Sequence, residues 1–416
     1  LPTDRSEEER LPVMVFLHGG GNFLGDSAHS MDYVVGTEGG GPLYDGAKLA
    51  ARGRSVVITI NYRLGVLGFL THPGLAEESG SSGNYGLMDQ IAALQWVQRN
   101  AESIGGDPDR VMLFGQSGGG RDVCLLLASP AAAGLFHRAA LHSVPCGAQT
   151  QESARLQRDS LLEEMGCDDD EDPMACMRAM SPDVLVNAAS SQPLGLASGA
   201  FRPTVDGNIV MAQPRDVFAG GDFNHVPILL GTTDAEYAHR WTDMSEQQYE
   251  QALVAQFGAT LGAKVLAEYP IADYPTGDAA YVQVMSDRNV SCPARSLAAV
   301  LSEQQSEEVY LYRFKQLLST PTRLGDGAYH TSDLAFLFQH MDGEKFQTTA
   351  DEQATEDVML RYWSSFAATG KPEATGLADW APHDTVDFSY QSLEPTPRGD
   401  TALKHEKCDF WASLTP

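Results

Sequence analysis

The residues with the clearest chemical meaning are Gly115-Gln116-Ser117-Gly118-Gly119, directly after the apolar run Val111-Met112-Leu113-Phe114. The pattern is G-x-S-x-G behind a strand-like segment, the sequence form of a sharp strand-to-helix turn that holds a serine hydroxyl out at the end of a sheet. The positive end of the following helix would then lie behind that hydroxyl. A glycine-rich serine loop standing alone usually only turns the chain. Here a second segment upstream matches it. Leu11-Pro12-Val13-Met14-Val15-Phe16-Leu17 is a short apolar run ending in His18-Gly19-Gly20-Gly21. Four to eight apolar residues bounded by glycines predict a buried strand of a parallel sheet. Glycines let the backbone approach a reacting atom closely and turn its N–H groups toward it. Acyl transfer needs such donors, because charge develops on the carbonyl oxygen in the transition state. The N–H groups of Gly20, Gly21 and Gly118 are the candidate oxyanion donors.

Further along stand Asn61-Tyr62-Arg63-Leu64-Gly65, Gly83-Asn84-Tyr85-Gly86-Leu87-Met88-Asp89-Gln90 and Gly105-Gly106-Asp107-Pro108, then the Ser117 turn and finally Cys408-Asp409-Phe410-Trp411. In this order the motifs resemble the type-B carboxylesterase/cholinesterase family nearly from end to end. The resemblance implies an α/β-hydrolase fold, a mostly parallel twisted central sheet flanked by helices, and hydrolysis of carboxylic esters through Ser, Glu and His without a metal or organic cofactor. It also implies a chain without the family's N-terminal edge strands, a fragment or a shortened member. That family carries roughly a hundred further residues before this point, a sizeable part of a domain.

In this fold the triad runs in the order Ser, acid, His. Val226-Pro227-Ile228-Leu229-Leu230 reads as a later strand, followed by Gly231-Thr232-Thr233-Asp234-Ala235-Glu236. The family pattern places the acid at Glu236; a two-residue shift of register would select Asp234. Gly327-Ala328-Tyr329-His330-Thr331-Ser332-Asp333 resembles the family's Gly-x-x-His-x-x-acid segment and singles out His330 among eleven histidines. Asp333 would order that loop, or begin a helix.

The rest of the chain bounds the reading. With 43% hydrophobic and 20% charged residues among 416, composition is that of a globular protein. One catalytic constellation spread over residues 1–416 predicts a single catalytic domain, with 150–200 and parts of 240–300 as cap-like insertions. No apolar run is long enough to span a bilayer. A net charge of −28 argues against nucleic acid as a partner. Small-molecule esters are the expected partners, and oligomeric state is not readable. Among the other expected elements, Val56–Ile60 and Val309–Phe314 read as strands, and Leu87, Ile91, Leu94 and Val97 fall at helical spacing with Trp96 assigned to the core.

By the resemblance, the six cysteines supply the disulfides Cys167–Cys176 and Cys292–Cys408. Cys124, inside Val123-Cys124-Leu125-Leu126-Leu127, reads as a buried free thiol, and Cys146 has no evident partner. Disulfides imply an oxidising compartment, hence a secreted or secretory-lumen protein. Asn289-Val290-Ser291 is an N-glycosylation sequon. No Cys or His pair stands at zinc-ligand spacing.

Some residues depart from the family pattern. Gln116 stands where the family usually carries Glu, which removes a negative charge and disfavours choline esters. Gln116 also occurs in juvenile-hormone-esterase-like members. Gly118 replaces the usual Ala, and Asn22 the usual Phe after the glycines. Leu194, Leu196 and Phe201, beside the segment that resembles the family's acyl pocket, join Gln116 as candidate pocket residues. The predicted function is a serine carboxylic-ester hydrolase acting on small to medium uncharged esters. The alternative from another class is a non-catalytic adhesion protein of the same fold. Cholinesterase-, juvenile-hormone-esterase- or lipase-like specificities are the alternatives among enzymes.

Overall fold

The structure, a computed structural model, describes all residues except 3–5, 7, 29–41, 145, 192–200, 239–243, 320–326, 340–347 and 415–416. Its centre is an eight-stranded sheet of order β2-β1-β3-β4-β5-β6-β7-β8. The strands are β1 (Leu11–Leu17), β2 (Val56–Ile60), β3 (Gly106–Gln116), β4 (Arg138–His142), β5 (Ile228–Thr233), β6 (Val309–Phe314), β7 (Tyr390–Leu393) and β8 (Arg398–Asp400). All neighbours pair in parallel except β7 with β8.

The β1 sequence explains its place. All seven of its residues are buried, as expected of a strand covered on both faces. Side chains alternate across a strand, and so do its contacts. Val13, Val15 and Leu17 join one apolar cluster, with Leu87, Ile91, Leu94 and Val97 of α1 (Tyr85–Asn100) and Val123 through Leu127 of α2 (Gly118–Leu127). Met14 and Phe16 face the opposite cluster, with residues of α3 (Ser332–Phe338) and α4 (Ala350–Thr369), among them Phe338, Met359 and Trp363. The molecule is thus a helix–sheet–helix sandwich, with the carboxyl ends of its parallel strands on one edge.

Two long excursions leave the sheet between β4 and β6. Between β4 and β5 run the helices Gln151–Met165, Pro173–Arg178 and Pro182–Ser191. Between β5 and β6 run Glu246–Glu268, Gly277–Ser286 and Cys292–Gln304. Disulfides pin both: Cys167–Cys176 closes a nine-residue separation in the first, and Cys292–Cys408 ties the second to the C-terminal helix His405–Ser413.

Two expectations fail here. Cys124 is not a free thiol; it is bonded to Cys146, with Cα atoms 5.9 Å apart. β4 lies beside β3, so the chain leaving β4 passes the helix that leaves β3, and the 22-residue separation becomes a local contact. Trp96 is 46% exposed rather than core. The inward stripe of α1 runs through Leu87, Ile91, Leu94 and Val97, and a residue two places beyond Leu94 points roughly 200° away on a helix of 3.6 residues per turn. The sequon residue Asn289 is half-buried in a helical turn, Asp287–Ser291, with Ser291 fully buried.

Candidate active site

Ser117 joins β3 to α2 with φ 55° and ψ −116°, outside the regions a non-glycine residue ordinarily occupies. The flanking glycines make the turn possible. A Cβ at Gly115 would lie 2.6 Å from the Gly119 carbonyl, and one at Gly119 would lie 2.1 Å from the Leu17 oxygen. Ser117 N–H donates to the His142 carbonyl at 3.0 Å, fixing the turn to the end of β4. Unlike its buried neighbours, Ser117 remains partly accessible.

The loop after β1 folds back over the start of α2. Gly20, Gly21 and Asn22 all have positive φ: 111°, 66° and 69°. Glycine takes such values freely, and asparagine is one of the few others that do. The loop is held by Gly65 N–H on the Asn22 carbonyl at 2.7 Å and by the Tyr62 hydroxyl on the His18 carbonyl at 2.7 Å. A Cβ on Gly118 would lie 2.8 Å from Gly21 N and 2.9 Å from Asn22 N. The loop therefore packs on bare Cα at the residue after the serine. Among the described residues, the N–H groups of Gly20, Gly21 and Gly118 take part in no hydrogen bond.

The acid and the histidine come from the loops after β5 and β6, on the same sheet edge as Ser117. Glu236 is 1% exposed; its Oε1 accepts from Thr233 N–H at 2.8 Å, and its Oε2 lies 2.6 Å from His330 Nδ1. The competitor Asp234 instead pairs with Arg313. His330, with a quarter of its side chain exposed, presents its other nitrogen to Gln116: Nε2 lies 3.1 Å from the Gln116 amide nitrogen. An amide N–H donating there leaves the imidazole proton on Nδ1, toward Glu236.

Behind this pair lies a network that the sequence did not reveal. His142 ends β4, fully buried; its Nε2 accepts from the Trp363 indole N–H at 3.1 Å, so Nδ1 carries the proton and meets Asp333 Oδ2 at 2.8 Å. The Tyr312 hydroxyl donates to the same carboxylate oxygen at 3.1 Å. Burial, then the Asp333 charge, hold the Tyr312 hydroxyl well above its ordinary pKa. Asp333 thereby anchors the His330 loop to β4 and β6, the ordering role expected of it, while also standing in the first turn of α3.

A third buried carboxylate, Asp122 on α2, accepts from the Asn22 amide at both oxygens, 2.8 Å each, and from the Gln90 amide at 2.6 Å. Arg121 donates to Asn22 Oδ1 at 3.3 Å. Burial raises the Asp122 carboxyl to about 7, outweighing the hydrogen bonds from Gln90 and Asn22 and the nearby Arg121 charge. Burial also lowers Arg121 to about 10, and the charge of Arg202 adds to that effect. Neither Asn22 nor Asp122 was a candidate from sequence; the signal lay in Asn22 as a departure from the family pattern.

Of the candidate pocket residues, Gln116 is in the site, Phe201 is buried in the core cluster that covers the α2 face of the sheet, and Leu194 and Leu196 lie outside the described residues. A cleft of about 480 Å³ lined by His72, Arg155, Arg158 and Asp206 opens between the first excursion and the helix Pro73–Ser79; none of the candidate catalytic residues lines it. Among the described residues no group of three or more His, Cys, Asp or Glu could hold a metal, and no helix is long and apolar enough to cross a membrane.

Comparison with known proteins agrees with this architecture. Residues 1–411 match the model of the carboxylesterase family. The chain is similar to the para-nitrobenzyl esterase of Bacillus subtilis (strain 168), 34% identical over 380 residues, covering 89% of this chain and 73% of that protein. It is also similar to the cocaine esterase of Oryctolagus cuniculus, 31% identical, covering all of this chain and 78% of that one. A solved structure of a PNB esterase superposes with a TM-score of 0.80 at 30% identity, over 97% of this chain and 82% of that one.

Proposed function

From the premise that this chain belongs to the carboxylesterase family and is a carboxylesterase, we propose that Ser117, His330 and Glu236 carry the reaction. The observation that supports it best is the 2.6 Å contact of the buried Glu236 with His330 Nδ1, beside the Ser117 turn. A serine hydroxyl is a weak nucleophile until a base takes its proton. His330 Nε2 is that base. The Gln116 amide occupies Nε2 in the unliganded site and yields to the Ser117 hydroxyl when substrate arrives. Glu236 keeps the imidazole in the required tautomer and stabilises the imidazolium.

Attack on the ester carbonyl forms a tetrahedral oxyanion, which the N–H groups of Gly20, Gly21 and Gly118 receive. Those groups are preorganised and, among the described residues, otherwise unengaged, so no reorganisation is needed as charge develops. Collapse expels the alcohol, protonated by His330, and leaves Ser117 acylated. Water then gives its proton to the same histidine, attacks the acyl carbon and releases the acid. The side chains and backbone of this chain suffice for each step.

A neutral Gln116 beside the base suits small to medium uncharged esters. One catalytic unit spans the sheet. Three disulfides fit a secreted or lumenal protein. A glycan at Asn289 would have to be attached before the buried turn Asp287–Ser291 forms. The test is hydrolysis of p-nitrophenyl butyrate by the chain, beside Ser117→Ala and His330→Ala, before and after an organophosphate. Activity abolished in both variants and by the inhibitor supports the reading. Folded Ser117→Ala with undiminished activity overturns it.

A further inference from the structure

We infer that Asp122 is a positioning residue for the oxyanion loop, fixing the Gly20 and Gly21 N–H groups over Ser117 through its grip on the Asn22 amide. This rests on the reading of those N–H groups as oxyanion donors.

The geometry carries the inference in three steps. First, the loop is conformationally expensive. Gly20 and Gly21 take their positive φ without strain, but glycines lose the most backbone freedom on being fixed, so a single conformation of the loop persists only where specific contacts hold it. Second, the contact that holds it is bidentate and buried. Both Asp122 oxygens receive Asn22 Nδ2 at 2.8 Å, and both residues are fully buried. Asn22 is the residue directly after the donors, so orienting its amide orients the peptide units before it. Third, Asp122 sits on α2, whose first turn begins at the nucleophile. The same carboxylate accepts from Gln90 of α1 at 2.6 Å. Oxyanion loop, nucleophile helix and α1 therefore share one acceptor.

Simple packing does not account for it. Burying a carboxylate costs several kcal/mol that an apolar side chain would avoid. The described hydrogen-bond partners of Asp122 are neutral amides rather than a cation at bonding distance. Such a group persists where a fixed geometry is required, because hydrogen bonds converging on one buried acceptor specify one arrangement of their donors. Here the arrangement specified is the distance between the loop and Ser117.

The experiment compares the full chain with Asp122→Asn, Asn22→Asp, the exchange variant Asn22→Asp/Asp122→Asn, and Ser117→Ala. Asp122→Asn keeps size but loses an acceptor, turning an amide N–H toward Asn22 or Gln90. The exchange rebuilds the contact in reverse: the amide at 122 donates to a carboxylate at 22, keeps its oxygen for Gln90, and the new carboxylate still accepts from Arg121. Aspartate, like asparagine, tolerates positive φ. Readouts are kcat and KM for p-nitrophenyl butyrate, affinity for an alkylboronic acid that forms a tetrahedral adduct, organophosphate titration of competent sites, and the thermal midpoint.

Losses of about ten- to a hundredfold are expected in kcat per titrated site for Asp122→Asn, as for a displaced oxyanion donor. KM should stay within about threefold, boronate affinity should fall in proportion to kcat, and the exchange variant should recover most of both. Unchanged kcat per titrated site, a kcat loss without loss of boronate affinity, or no recovery on exchange overturns the inference. Persistent hydrolysis by Ser117→Ala instead overturns the catalytic reading beneath it, and so separates the two failures.

Discussion

Replacing Gly118 by alanine introduces a single methyl group, and the structure assigns it a catalytic cost. The added Cβ would stand 2.8 Å from Gly21 N, 2.9 Å from Asn22 N and 3.1 Å from Gly21 Cα. Ordinary contacts of this kind lie at about 3.5 Å, so the loop and the helix must part by roughly half an ångström. None of the three atoms belongs to a side chain that could turn aside. The helix cannot retreat easily, because Gly119 already lies against the Leu17 carbonyl. The loop is held by Asp122 and by Gly65 N–H on the Asn22 carbonyl. The displacement therefore falls on the candidate oxyanion donors. Loss of a whole donor costs about 10²–10³ in kcat; half an ångström of misplacement should cost about tenfold, or about 1.4 kcal/mol of transition-state stabilisation. Alanine also favours the helix over glycine by up to about 1 kcal/mol, so stability should not fall in step with rate. The assay is kcat and KM for p-nitrophenyl butyrate per organophosphate-titrated site, beside the thermal midpoint. A kcat within twofold of the parent would refute the reasoning, and so would a loss matched entirely by fewer titratable sites.

Gln116→Glu should move the acid limb of the kcat/KM profile to higher pH by about one unit, because a carboxylate against His330 Nε2 favours the imidazolium and the base then appears later; an unmoved or lowered limb counts against that contact. The Asp122 carboxyl rises from 3.8 to about 7 on folding, so the native chain holds an extra proton between those values and this group lowers stability as pH rises through the window. Asp122→Asn lacks that term. Urea unfolding between about pH 4 and 8 should show the variant gaining on the parent as pH rises, and parallel curves would contradict the burial argument. Cys292→Ser/Cys408→Ser opens a 116-residue separation, for which loop entropy predicts about 4–5 kcal/mol lost, read as a lower denaturant midpoint; a midpoint unchanged would show that the second excursion is held by packing alone.

What the sequence disclosed and what it hid divide along a physical line. β1 was legible because a strand buried on both faces must be apolar throughout. The Ser117 turn was legible because Gly115 and Gly119 are required by local sterics. The proposed His330 and Glu236 were reachable through strand order and family pattern, and the pairing of Asp234 with Arg313 supports the proposed register. The hidden features all depend on which strands become neighbours. Cys124–Cys146 and the buried His142 follow from β4 lying beside β3. Asn22 and Asp122 are a hundred residues apart and meet only because β1 also lies beside β3. In sequence, Asp122 is one acid among 56, and nothing local marks it as buried.

Gly118 and Asp122 then form one device seen from two sides: the missing side chain lets the loop approach, and the carboxylate holds it there. Two perturbations of one contact should not add. Once Asp122→Asn has let the loop lift, the methyl of Gly118→Ala finds the space it needs and does little further harm. The combined variant should therefore lose about as much kcat as the worse single variant, not the product of the two losses. Boronate affinity should follow the same rule, because the adduct oxygen uses the same donors. The double-mutant cycle separates this from a simpler possibility, in which Gly118→Ala distorts the Ser117 turn while Asp122→Asn merely loosens α2. Independent injuries would multiply, giving a combined loss near the product and a coupling close to zero. Multiplying losses would leave the shared-loop account without support, even if each single variant behaved as expected.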